Sequence, residues 1–291
     1  MWKLLQIELY KIFRRPRTYI SFAAITGLIL VIQIGLKADG ESYINFVLSG
    51  LKDSVDIDGK LLNGYFVCYV ILQLLLIHVP LLIALIAADM ISGEANMGTL
   101  RLLASKPISR EQFILAKFLA SAVYTFILLV WIAVTGLFLS LLIFGTGDLF
   151  VAKISYAVQL QSSDVFWRYC GAFCFAYLSM LTVAAVGFFL SLFAENSIGP
   201  IVATMSVIIF FTIISTMSIP IFQKIQPYLF TTHMVNWKEF FDEKVDSNNE
   251  AILGSIQNPQ KLIESALILI AHIVGLVGLS MYIFKKKDVL S

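Results

Sequence analysis

The chain has 291 residues, 59% hydrophobic and 14% charged, with a net charge of +2 and a mean hydropathy of +0.86. Soluble domains carry about 45–50% apolar and roughly 25% charged residues, so this composition excludes an ordinary soluble domain and points to a chain solvated by lipid. So small a net charge gives no electrostatic footprint for nucleic acid.

Residues 1–17 are too polar to span. Trp2, Leu5, Leu9, Ile12 and Phe13 fall on one helical face, with Lys3, Lys11, Arg14 and Arg15 mostly elsewhere. This predicts a basic amphipathic helix at the inner membrane interface, broken at Pro16. It serves either as a positively charged anchor or also as a contact for a cytoplasmic partner. Six apolar runs follow: Thr18–Leu36, Tyr65–Ala88, Phe113–Phe144, Cys170–Ala194, Ile198–Phe222 and Leu262–Phe284. The first is of spanning length and lacks a convincing small-x-small site, so it reads as an uncleaved span. Backbone amides in hydrocarbon must bond internally, and continuous apolar runs favour helices over the alternation of a barrel. The expected fold is an all-α integral membrane protein with six transmembrane helices in a single transmembrane domain.

Between the runs, Lys37–Gly64 reads as a polar outer loop. Gly145–Tyr169 contains "DLFVAKISYAVQL", expected as a short helix on the membrane, and Asp164 is expected to cap the fourth span. Residues 223–261 form the largest outer loop. There, Asn236 with Glu239 and Ser247 with Glu250 read as capping boxes, and Asn258-Pro259 starts the last helix.

The charges orient the chain. The pieces on the N-terminal side hold 12 of the 21 basic residues and 6 of the 19 acidic ones, packed into short segments. By the positive-inside rule both termini are cytoplasmic; the plasma (inner) membrane of a bacterium is a separate expectation.

The sequence carries little chemistry of its own. No phosphate-binding loop occurs, so ATP, if it drives this protein, is hydrolysed by another chain. His78, His233 and His272 sit on separate elements, and no G-x-S-x-G or HExxH pattern appears. Cys68, Cys170 and Cys174 lack metal or redox spacing and read as small apolar residues. No metal site or catalytic residue is expected. Ionisable groups deep in the spans are few, which argues against an ion-coupled carrier. His78, two residues before Pro80, marks a kinked polar spot or simply bonds a neighbouring helix. Thr204, Thr212, Ser215 and Thr216 lie close to one face of the fifth run, and Gly136/Ser140 and Ala172/Ala176 are small pairs suited to close helix contact.

The segment Ser92–Phe113, "SGEANMGTLRLLASKPISREQF", joins the second and third spans on the inner side. Gly98 permits a sharp entry, Thr99–Leu103 makes one or two helical turns, Pro107 stops them, and Ser109 caps the third span with Gln112 at the capping-box position. So short a helix needs the headgroup region or a partner groove to hold it.

"GEANMGTLRLLASKPISREQFILAKFL" resembles the segment of ABC-2 type ABC transporter membrane subunits in which a Glu precedes Gly-Thr, a Leu-rich turn, a Pro, Ser-Arg and a Lys-bearing helix. "IELYKIFRRPRTYI" is similar to their N-terminal helix and first span, and "IQPYLFTTHMVNW" to the outer segment between their fifth and sixth spans. The resemblance implies a permease that pairs with a second permease subunit, identical or not, and sits on two cytoplasmic ATP-binding cassette subunits, which bind ATP and Mg. It implies a coupling helix with Glu94, Gly98, Thr99, Arg101 and Leu102 docking into the ATPase, and a second contact at Glu195-Asn196. It further implies a substrate path between protomers, near Gln73, His78, Thr204, Thr212 and Thr216. An exporter is the expected function. A stand-alone carrier, or a membrane scaffold or assembly subunit, are the alternatives.

Overall fold

The computed structural model describes residues 1–48, 61–99, 109–152, 157–246 and 251–286. Helix α1 (Trp2–Arg14) ends at Arg15, whose extended backbone lets Pro16 open α2 (Pro16–Leu48). A proline in the first turn of a helix forfeits no bond, so the break falls just before Pro16. Lys37–Leu48, expected as loop, continues α2 beyond a kink at Asp39. Tertiary packing overrides its polarity: Leu62 lies over Gly40, and the Tyr43 ring rests 6.4 Å from that of Phe66.

The second run is not one helix. It divides into α3 (Gly64–Leu74) and α4 (His78–Ala87), bent by 56°, and α5 (Asp89–Asn96) follows directly. Pro80 cannot donate to residue 76, so the helix restarts and Pro80 falls in the first turn of α4. The third run forms α6 (Arg110–Phe144), 35 residues long, with a π-helical turn over Ala133–Phe138. Ser109 Oγ caps it by accepting from the Gln112 amide at 3.2 Å, as its sequence signature required. Gln33 of α2 donates to Thr135 O and Ser140 Oγ, both at 2.9 Å, and so supports the π turn.

The "DLFVAKISYAVQL" stretch corrects the expected membrane-surface helix. Leu149–Ala152 (β1) and Ala157–Leu160 (β2) pair antiparallel, with Leu149 opposite Leu160. Leu149, Val151 and Leu160 are buried, and Asn63 Nδ2 ties the hairpin to α3 through Asp148 O at 2.7 Å. Helix α7 (Ser162–Ser191) starts before the fourth apolar run, but Gln161 is its cap position. Asp164 lies inside the first turn and pairs with Arg168 instead. Helix α8 (Ile198–Thr216) stops short of Phe222 because Pro220 disfavours helical backbone at Ile219. Gln226 Nε2 satisfies the freed carbonyls of Ile214 and Met217, at 2.9 and 2.8 Å.

Short helical turns make a cap over 220–241. The expected capping box at Asn236 is a 3-10 segment, Val235–Phe241. Asn236 Nδ2 donates to Ser265 Oγ at 2.7 Å, and Glu239 pairs with Lys261 at 2.6 Å. Ser247 and Glu250 lie outside the described residues. Pro259 does open the last helix, α9 (Pro259–Lys286).

Among the described residues five helices are long and apolar enough to cross a membrane, or six if the bent α3–α4 pair counts as one span. The expected helical membrane fold therefore holds, with the addition of one β-hairpin. The bundle has two distinct ends. One gathers α1, α5, the start of α6, the α7–α8 turn and the end of α9, where Arg110 Nη1 donates to Lys285 O at 3.1 Å and Lys285 pairs with Glu111. The other carries the hairpin and the cap.

Candidate functional site

The first end holds an ion-pair quartet that joins three helices. Lys117, about two turns into α6, reaches Glu8 Oε2 at 2.8 Å and Glu94 Oε1 at 2.7 Å. Lys11, one turn after Glu8 on α1, bonds Glu8 Oε1 and Glu94 Oε1, each at 2.7 Å. Lys117 is 1% exposed, Glu94 2% and Glu8 5%, so α1 is fastened by charge through an otherwise apolar face that includes Ile12. Two cations balance two anions, the condition under which buried charge is tolerated.

Burial alone would raise the Glu8 carboxyl; Lys117 and then Lys11 outweigh it and hold Glu8 below the usual glutamate range. Burial would lower Lys11, but its bonds to Glu8 and Glu94 hold it above the usual lysine range. A lowered acid stabilises the fold above its ordinary value and loses that contribution as pH falls through the lowered one. A raised base stabilises below its ordinary value and loses that contribution as pH rises through the raised one. The attachment of α1 is therefore level between the ordinary values of 4.5 and 10.5 and weakens only outside them. A nitroxide at Gln6→Cys, with exposed Cys170 and Cys174 replaced by alanine, will show constant mobility across that window and a sharp rise in acid below it.

A second cluster surrounds Asp89, the first residue of α5, which is 2% exposed. Its Oδ1 is 2.9 Å from Arg17 Nη1, its Oδ2 accepts from Arg15 Nη1, and Ser197 Oγ of the α7–α8 turn donates to Oδ1. Gly93 lies one turn further along α5, where a Cβ would come within 2.4 Å of Asp89 Oδ1. Only glycine leaves room for the carboxylate to fold over the helix. Gly98 ends α5 at φ 67, left-handed backbone that favours glycine, and its amide bonds Ala95 O at 3.0 Å. Thr99 Oγ1 donates to Glu94 O at 3.3 Å.

The family described as "ABC-2 family transporter protein" matches residues 2–289. The chain belongs to this family. It is also 31% identical over 117 residues to "Uncharacterized protein YhcI" of Bacillus subtilis (strain 168). That match covers 39% of this chain and 37% of the relative, so the shared stretch spans little more than a third of either protein. As an ABC-2 family member, the chain is a multi-pass membrane component of a transporter and not its catalytic part.

In this ABC-2 permease the residues singled out by sequence separate by location. Glu94 is enclosed in the quartet and presents no surface. Gly98, Glu195 and Asn196 are exposed and Thr99 is half-buried, while Arg101 and Leu102 lie outside the described residues. Asn196 Oδ1 accepts from the Gly199 amide at 3.0 Å, which shapes the α7–α8 turn. The five path candidates differ in exposure. Thr204 is fully buried, its hydroxyl bonded to Pro200 O at 2.6 Å. Thr212 and Thr216 are exposed on α8, with Thr216 Oγ1 bonded back to Thr212 O. Gln73 is half-buried and hydrogen-bonds the Tyr69 hydroxyl. His78 is exposed, and its Nδ1 lies 3.0 Å from Leu74 O, bridging the α3–α4 break.

Sequence reasoning chose none of Glu8, Lys117 and Asp89 as a site. Two signals were available. Glu8 is the one acid in a basic helix, and Lys117 falls inside an apolar run, where an ionisable group needs a partner.

Proposed function

We propose that this ABC-2 permease forms the substrate path of an ATP-driven exporter, with ATP and Mg held by separate cytoplasmic ATP-binding cassette subunits. The observation that carries this reading is the family match over nearly the whole chain. The dense basic charge at the end bearing α1 and α5 supports a cytoplasmic position for that end. A second permease subunit completes the path, and the plasma membrane is the site of action.

In this reading the connector beginning at Gly98 and Thr99, and continuing through Arg101 and Leu102, meets the ATPase. Glu195 and Asn196 make the second contact. Glu94 acts from inside, fastening the root of the connector to α1 and α6. ATP-driven closure of the partner subunits pushes the connector, and packed helices pass that push on as a switch between discrete arrangements. Gln73, His78, Thr212 and Thr216 remain candidates for the path. The enclosed Thr204 reaches it only if α8 separates from α7.

The test is purification from native membranes in mild detergent with an ATPase assay of the eluate. An ATP-binding subunit will co-purify, and Arg101→Glu will reduce its recovery at least tenfold. A permease recovered alone, or with non-ATPase partners, would favour a carrier or a scaffold.

A further inference from the structure

Both candidate ATPase contacts are rooted in the same short helix. The connector leaves α5 at its C-terminal end, through Gly98 and Thr99. The α7–α8 turn is bonded to its N-terminal end, through Ser197 and Asp89. Asp89 also takes Arg15 and Arg17 from the junction of α1 and α2, and Gly93 leaves the space in which its carboxylate sits. Packing adds an independent tie. At Gly187 of α7, a Cβ would lie 3.3 Å from Thr204 Oγ1 of α8, and 3.4 and 3.6 Å from the amide nitrogen and Cβ of Ala88, just before α5. Helices α7 and α8 and the α4–α5 junction therefore meet around one glycine, at the residue just before Asp89.

We infer that Asp89 is a positioning residue that locks α5, from which the connector leaves, and the α7–α8 turn into one rigid body, so that the roots of the two contacts move together. This rests on the coupling role proposed above for both loops. A buried carboxylate shared among a hydroxyl and two guanidinium groups is directional and charge-assisted, hence stiffer than an apolar contact. With the lock intact, a push on either loop displaces α5, the α1–α2 junction and the α7–α8 turn as a unit. Without it, the connector can move while the turn lags, and ATP hydrolysis is no longer converted fully into helix movement.

The experiment uses the full-length permease in nanodiscs with Cys170 and Cys174 replaced by alanine and nitroxides at Met97→Cys and Ile198→Cys, both exposed positions. The distance distribution between the labels will be narrow in the parent and at least twofold broader in Asp89→Asn and in Ser197→Ala. The second variant removes only a hydroxyl, which guards against a folding failure of the first. In the complex with its ATP-binding subunit, the stimulation of MgATP hydrolysis by the permease will fall at least fivefold in both variants, with co-purification unchanged. A distribution as narrow as the parent's in Ser197→Ala, or broadening with full stimulation, would overturn the inference. The distance measurement needs no ATPase. Failure to recruit an ATP-binding subunit would count against the coupling reading alone, and the label distances would still decide whether Asp89 locks the two loops.

Discussion

Replacing Lys117 with methionine will loosen α1 and destabilise the permease by about 3–5 kcal/mol, the cost of removing one partner from a buried ion pair. Of the two lysines Lys117 is the buried one, at 1% exposure, whereas the Lys11 side chain is 33% exposed. Without Lys117, Glu8 and Glu94 face each other across a single half-exposed lysine. Methionine matches the lysine stem in length, so the loss reports charge rather than a cavity. The mobility of a label at Gln6→Cys and the melting temperature in detergent measure the two parts of the effect. Glu8→Gln in the same chain will recover much of the loss, because it removes an anion that Lys117 no longer neutralises. Lys11→Met will cost less than half as much, since water already screens that charge. Equal effects of the two lysine variants would show that the quartet is not organised around Lys117.

The spans were legible in the sequence because length and continuous apolarity suffice to mark them. Local punctuation was legible through bonds and backbone set within a few residues: Ser109 caps α6, Pro259 opens α9, and Gly98 makes the sharp turn expected of it, whereas the helix it follows, α5, was not foreseen. What escaped was made by partners far apart in the chain. Lys117 and Glu8 are separated by 109 residues, Lys11 and Glu94 by 83, and Ser197 and Asp89 by 108. No periodicity records such a pairing. The hairpin escaped for another reason. Two four-residue strands are too short to establish alternation, and their identity comes from pairing with each other and from burial against α3. The α3–α4 break was half legible. Pro80 announced a disturbance, but a full restart of the helix at His78 depends on how α4 packs against α7 and α8.

At the other end of the bundle, Arg168→Met will release the cap, again at about 3–5 kcal/mol. Arg168 is fully buried on α7. Its Nη1 donates to Phe240 O at 2.8 Å, and its Nη2 lies 2.5 Å from Asp164 Oδ2 and 3.0 Å from Glu243 Oε1. One guanidinium thus holds two carboxylates and the backbone of the cap. Its loss leaves both acids uncompensated, and amide exchange over 230–243 will accelerate well beyond that of α6. Glu243→Gln will do the opposite. Burial raises the Glu243 carboxyl above the ordinary range, Arg168 lowers it only in part, and Asp164 raises it further. An acid raised in the fold is one whose ionisation opposes folding, so its charge is a net liability at neutral pH and the cap tightens as pH falls through the raised value. Glutamine keeps the size and an acceptor for Arg168 without the second negative charge. The variant will therefore match or exceed the parent's melting temperature at pH 7, and the parent's gain on mild acidification will vanish in it. If Glu243→Gln were as damaging as Arg168→Met, both carboxylates would be required as anions, and the cap would be held by an ion triad and not by a single arginine.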